Sequence, residues 1–191
     1  MKVRELVLKN RSYRRFNQET SIDHETLRQL VDLARLTGSA ANLQPLKYIL
    51  SCDSEGNTAI FPTLRWAGYL KDWDGPVEGE RPPAYIIILN DTSISKSAGC
   101  DHGIAAQSIL LGAAELGFGG CMIGSIQRTE LGEALNIPDQ FEILLVIALG
   151  KPAERIEIES VGTKGDIRYW RDDKGIHHVP KRSLDEIILS I

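Results

Sequence analysis

Two stretches of the chain are apolar at every position, and the other elements arrange themselves around them. Ala84-Tyr85-Ile86-Ile87-Ile88-Leu89 and Ile143 to Leu149 offer no polar face, which predicts strands buried on both sides of a sheet. Between them lies a helical pattern from Asp101 to about Leu116. Its Ile104, Ala105, Ala106, Ile109, Leu110, Leu111, Ala113 and Ala114 leave almost no polar side. A helix apolar all round belongs in a core or an interface. Asp101 is placed to cap its start, and Gly117, Gly119 and Gly120 end it.

The remaining elements are more amphipathic. Val3, Leu6 and Val7 predict a short helix over residues 2 to 9. Asp23 is a good N-cap for a second helix carrying Leu27, Leu30, Val31 and Ala34, which stops near Gly38. Tyr48-Ile49-Leu50 reads as a strand, Phe61 to Leu70 as a helix, and Cys121-Met122-Ile123 as a strand opening into a turn at Gly124-Ser125. Thr129 to Leu135 predicts a short helix, stopped by Asn136 and Pro138. Beyond Pro152 the pattern fades. Residues 153–181 are charged and glycine-rich, with too few apolar positions for a core of their own. Ser183 to Leu189 regains an apolar rhythm. Such a tail is expected either to fray or to lie on another surface, such as a second subunit.

At 191 residues the chain predicts one domain, a core to 152 followed by an extension over 153–191. The net charge of -4 argues against broad nucleic-acid binding, which needs a basic face. It leaves room for a local basic pocket. The three cysteines, Cys52, Cys100 and Cys121, form no CxxC pair and read as reduced thiols of a cytoplasmic protein. No signal-peptide pattern opens the sequence, and no apolar run reaches the roughly 20 residues of a membrane helix.

The densest chemistry lies in Arg11-Ser12-Tyr13-Arg14-Arg15. Guanidinium groups carry a permanent charge and a fork of donors that suits phosphate oxygens, and a serine adds a neutral hydrogen bond. Lys181-Arg182 is a second basic pair. It would complete a phosphate site if the tail returns to the N-terminal region. Other chemical-looking groups have plainer readings. Cys100-Asp101-His102 sits at a helix start, where capping and packing account for it. His177-His178 falls in the polar tail; adjacent residues of a strand face opposite ways, and both read as surface residues. His24 belongs to a helix's first turn. Gly117-Phe118-Gly119-Gly120 follows a helix, whereas a dinucleotide-binding glycine loop opens one. P-loop, zinc-protease and serine-hydrolase signatures are lacking.

Five segments in order resemble the nitroreductase family of FMN-dependent oxidoreductases. They are Arg11-Ser12-Tyr13-Arg14-Arg15-Phe16; Ser39-Ala40-Ala41-Asn42-Leu43-Gln44-Pro45; Glu115-Leu116-Gly117-Phe118-Gly119 leading into Cys121-Met122-Ile123-Gly124; Leu145 to Pro152; and Pro180-Lys181-Arg182 with Ser183-Leu184-Asp185-Glu186. The likeness spans nearly the whole chain and is weakest from about Ile60 to Pro83. It implies an α+β three-layer sandwich with a mixed central sheet flanked by helices. It also implies an intertwined homodimer with two FMN molecules at the interface, the tail wrapping onto the partner.

By the same resemblance, Arg11, Ser12 and Arg14 hold the FMN phosphate and ribityl chain, joined by Lys181 and Arg182. Ser39, Ala40, Ala41 and Asn42, followed by Gln44, approach the flavin ring, often from the other subunit. Backbone N–H groups at Gly124 and Ser125 face the flavin N5 and O4 edge. The activity implied is hydride transfer from NADH or NADPH to an electron-poor small molecule, a nitroaromatic or quinone, with no catalytic side chain required. The rival expectations are a flavin-binding carrier or sensor without nicotinamide turnover, and a relative specialised for flavin cleavage or dehalogenation.

Overall fold

A computed structural model describes residues 2–163 and 165–189. Its centre is strand β3 (Ala84–Asp91), buried along its whole length as its composition predicts. β2 (Leu46–Ser51) pairs with one edge of β3, and β5 (Phe141–Pro152) with the other. The far edge of β5 carries β4 (Gly119–Ile123), and its last two residues pair with the short β1 (Phe16–Asn17).

All of these pairings are antiparallel, which corrects the expectation of a mixed central sheet. The cause is the position of β5. Strand β3, helix α4 (Asp101–Glu115) and strand β4 form a strand–helix–strand unit whose two strands run the same way. β5 fills the slot between them and opposes both.

Alternation along β3 divides the core. Ile86 and Ile88 face one side with Ile147 and Leu149, and there meet Leu27 and Leu30 of α2 (His24–Arg35) and Ile109 of α4. Tyr85, Ile87 and Leu89 face the other side, with Ile60 of α3 (Ser54–Ile60) and Leu131 of α5 (Arg128–Ala134). The three layers are therefore helices, sheet, helices. Helix α4 is apolar all round but only partly covered: Ala105, Ala106, Ile109 and Ala113 are buried, while Ile104 is exposed. No helix among the described residues is long and apolar enough to cross a membrane.

Two helical expectations shift. The helix read over Phe61–Leu70 lies earlier, as α3, and passes into one 3-10 turn at Phe61–Thr63. Asp53 caps it by accepting the Gly56 N–H at 2.8 Å, and Pro62, which lacks an N–H, ends regular helix there. Asp101 does not cap α4, whose N-cap is Cys100; its carboxylate is engaged elsewhere, as described below.

The tail departs most from expectation. After β5, residues 154–181 turn back onto their own chain. They form a three-stranded sheet of β6 (Ile156–Ser160), β8 (His177–Lys181) and β7 (Trp170–Arg171), parallel between the first two and antiparallel between the last two. Glu154 anchors this return. It accepts the backbone N–H groups of Arg14 at 2.6 Å and Arg15 at 3.2 Å, and its other oxygen takes Arg171 at 3.0 Å. Among the described residues the short α6 (Leu184–Ile187) and residues 188–189 stand away, with Leu184, Ile187, Ile188 and Leu189 exposed.

Candidate functional site

The arginine segment leaves helix α1 (Val3–Lys9) and runs beside the start of β4. Ser12 bridges Gly120, and the Tyr13 N–H donates to the Gly120 carbonyl at 3.0 Å. The approach is this close because glycines sit opposite. A Cβ at Gly119 would lie 2.5 Å from the Tyr13 ring, and one at Gly120 would meet the Ala148 carbonyl and Leu110 at 2.6 Å.

The three arginines have different employments. Arg15 pairs with Glu80, Nε to Oε2 at 2.7 Å and a second bond beside it, and this bond holds the Glu80 carboxyl below its usual range. That pair removes Arg15 from any phosphate site. Arg11 donates through one terminal nitrogen to the Val7 carbonyl at 2.7 Å. Arg14 donates to the Ser12 carbonyl at 3.2 Å and lies 3.4 Å from Nε2 of His177, its guanidinium over the Tyr169 ring at 4.8 Å.

His177, read from sequence as a surface residue, is 1% exposed. Alternation along β8 turns His177 inward, while His178 stacks on Trp170 with ring centroids 4.2 Å apart. The inward face became core because the tail folds back. Arginine has only donors, so Nε2 of His177 must accept and the ring proton sits on Nδ1. Burial, then the charges of Arg14 and Arg171, push its pKa down to about 4. Between pH 6.5 and 4 the unfolded chain would take up a proton that the folded one refuses. Stability is thus complete above 6.5 and lost as pH falls through that window. We expect this group alone to cost about 3 kcal/mol by pH 4. Urea unfolding of parent and His177→Gln at pH 7 and pH 4.5 checks it; an equal pH dependence in both proteins would contradict the assignment.

Arg11, Ser12, Arg14 and Lys181 line one cavity of about 410 Å3, with Gln107, Gly120, Met122, Tyr169 and His177 among its other walls. A second cavity of about 220 Å3 adjoins it, lined by Gly124 and Ser125, the Trp66–Gly68 loop, and again Arg14, Met122 and Tyr169. The structure thus brings six of the expected site residues along one cleft. Gly124 has open space where a Cβ would be. Among the described residues no acceptor takes the N–H of Gly124 or Ser125, although the Ser125 carbonyl is bonded to the Arg65 N–H at 3.0 Å. Cys121, on the buried face of β4, also lines the smaller cavity; burial pushes its thiol pKa up, which disfavours the thiolate.

Ser39, Ala40, Ala41, Asn42 and Gln44 lie elsewhere. Ser39 and Gln44 line a separate cavity of about 160 Å3 with Asp101 and Tyr48. This loop is conformationally demanding: Ala41, Asn42 and Gln44 all have left-handed φ angles of 50–54°. Buried Asp101 anchors it, accepting from the Ser39 hydroxyl at 2.6 Å and the Ala40 N–H at 3.1 Å, while the Ser39 hydroxyl accepts the Gln44 N–H at 2.9 Å. Strain sustained at an exposed loop by a buried carboxylate marks a functional segment more often than a packing one. Arg182 stands outside every cavity described and lies 3.6 Å from Glu186. Glu154, Asp101, Tyr169 and His177 were all missed by sequence reasoning.

The larger cavity fits a phosphate-bearing ligand. Its volume lies in the range of small-molecule sites, about 300–1,000 Å3. Its polar groups are mainly donors, and Arg11 Nε and His177 Nδ1 are buried without partners among the described residues. No cluster of His, Cys, Asp and Glu that could hold a metal occurs among the described residues.

Comparison with known proteins gives the family and the fold. The model of the nitroreductase family matches residues 7–72 and 78–151. An NADPH-flavin oxidoreductase from Vibrio harveyi is 24% identical over 173 residues, covering 81% of this chain and 68% of that protein. A nitroreductase family protein from Streptococcus pneumoniae TIGR4 superposes with a TM-score of 0.72 over the full length of both chains at 18% identity. A structure described as a nitroreductase in complex with FMN, from Exiguobacterium sibiricum, gives a TM-score of 0.67 at 19% identity, covering 81% of this chain and 90% of that one.

Proposed function

This chain belongs to the nitroreductase family, and from that premise we infer that it is an FMN-dependent oxidoreductase using NADH or NADPH to reduce an electron-poor small molecule. One observation carries the reading: two adjoining cavities, one holding three cationic side chains and the other two uncommitted backbone donors, joined through shared walls. That is the polarity of a ligand with a phosphate at one end and a polar-edged ring at the other. The relatives' flavin and FMN descriptions support it.

Bound FMN would supply the two-electron redox chemistry between the nicotinamide and a nitroaromatic, quinone or similar acceptor. The protein's part is binding and electrostatics. Arg11, Arg14 and Lys181, with the Ser12 hydroxyl, would hold the phosphate. The N–H groups of Gly124 and Ser125 would face the polar edge of the ring and could stabilise negative charge there. Met122 gives an apolar surface that excludes water. No side chain need transfer a proton for hydride to move.

The active unit of this reading is a homodimer. The strained Ser39–Gln44 loop lies apart from the cleft in its own chain and would serve a partner's cleft. The exposed apolar side chains of α6, with Ile104 of α4 and Val3 and Leu8 of α1, would cover one another across that interface. Arg182 would then act from the same C-terminal segment. The electron acceptor is a small molecule, without nucleic acid or membrane.

An absorbance spectrum of the purified protein, taken without oxygen before and after NADH or NADPH, tests the reading. Bands near roughly 370 and 450 nm that bleach are expected. Persistent bands would favour a carrier or sensor. No bands after reconstitution with FMN would refute flavin binding.

A further inference from the structure

Arg14, Met122 and Tyr169 line both cavities of the cleft. A ligand long enough to occupy the two at once must pass between them. Alternation on β4 fixes one of these walls: Cys121 and Ile123 are buried and Met122 faces outward. Tyr169 comes from the returning tail, just before β7. Its ring is held on three sides, 4.9 Å from the Tyr69 ring, 5.2 Å from the His177 ring and 4.8 Å below the Arg14 guanidinium. Its hydroxyl accepts the Tyr69 N–H at 3.4 Å. A ring so constrained meets a ligand with little freedom left to lose. The other aromatic lining the smaller cavity, Trp66, is buried and packs on Phe61 with centroids 6.0 Å apart.

We propose that Tyr169, on the wall shared by the two cavities, is the aromatic contact for the planar ring of the bound cofactor. The inference rests on the flavin reading above. It also gives the folded-back tail a purpose: the tail supplies the wall that the core strands leave open. A flat π-surface on that wall favours a flat ligand over a bulkier one.

Light provides a readout separate from turnover. A phenol in contact with an excited flavin gives it an electron and takes it back, leaving both unchanged and the emission quenched; a phenylalanine ring cannot. Apo-protein is titrated with FMN, following emission and affinity, for the parent, Tyr169→Phe and Tyr169→Ala. Tyr169→Phe is expected to keep the affinity and to brighten the bound flavin severalfold. Tyr169→Ala is expected to brighten it as well and to weaken binding about three- to tenfold. Bound FMN as dark in Tyr169→Ala as in the parent would overturn the inference and leave the flavin reading standing. A parent that binds no FMN would overturn the reading and the inference with it.

Discussion

Replacing Glu154 with alanine should lower stability by about 3–5 kcal/mol, a large fraction of a small domain's total. The Glu154 side chain is 1% exposed. One oxygen accepts two consecutive backbone N–H groups, of Arg14 and Arg15, and the other takes Arg171, which is itself 16% exposed and lies over Trp73 at 5.0 Å. Alanine would leave two buried backbone donors and one buried cation without partners, and an uncompensated buried charge is the costliest result of breaking such a pair. Glu154→Gln should fall between, because the amide oxygen still accepts while the amide nitrogen faces either Arg171 or the backbone donors. Denaturant unfolding of the three proteins measures this. A loss below about 1 kcal/mol for Glu154→Ala would mean that the tail is held by other contacts.

No local signal marks Glu154. In the sequence it is one acid after a proline, at the start of a stretch that looks unable to fold. Its partners lie some 140 residues earlier, and a carboxylate that organises two distant backbone donors leaves no periodicity to detect. The same separation hid the fate of Arg15, whose partner Glu80 is 65 residues away. The charge of the segment was plain; which guanidinium would remain free was not.

Periodicity served well wherever burial was nearly complete. β3, β5 and α4 appear where the apolar runs placed them, because no other arrangement removes so many apolar side chains from water. It served poorly where structure depends on hydrogen-bond geometry. Helix α3 contains Gly56, Asn57 and Thr58, weak helix formers, and is held by the Asp53 cap and by the burial of Ile60. The antiparallel sheet follows from the insertion of β5 between β3 and β4, a long-range choice that the strands' own sequences do not encode. Asp101 shows the limit most clearly. Its place at a helix start suggested a cap, yet burial beside the Ser39 loop made it that loop's anchor.

Arg14→Ala should weaken FMN binding about 30- to 150-fold, the value of roughly 2–3 kcal/mol for hydrogen bonds to a charged group. Arg14 lines both cavities, and among the described residues its side-chain partners, the Ser12 carbonyl and His177, engage only Nη1. The rest of the fork is free for an anion. Stability should change little, because the bond that fixes this segment is made by the Arg14 backbone to Glu154 and survives the substitution. Arg15→Ala serves as the contrast: its guanidinium is committed to Glu80, so FMN affinity should stay within about threefold of the parent even if stability drops. Riboflavin decides what Arg14 recognises. It carries the same ring and ribityl chain without the phosphate, so Arg14→Ala should leave riboflavin affinity nearly unchanged while FMN affinity falls towards it. Equal losses for FMN and riboflavin would show that Arg14 acts on the ring through its contact with Tyr169, and would move the phosphate site to Arg11 and Lys181.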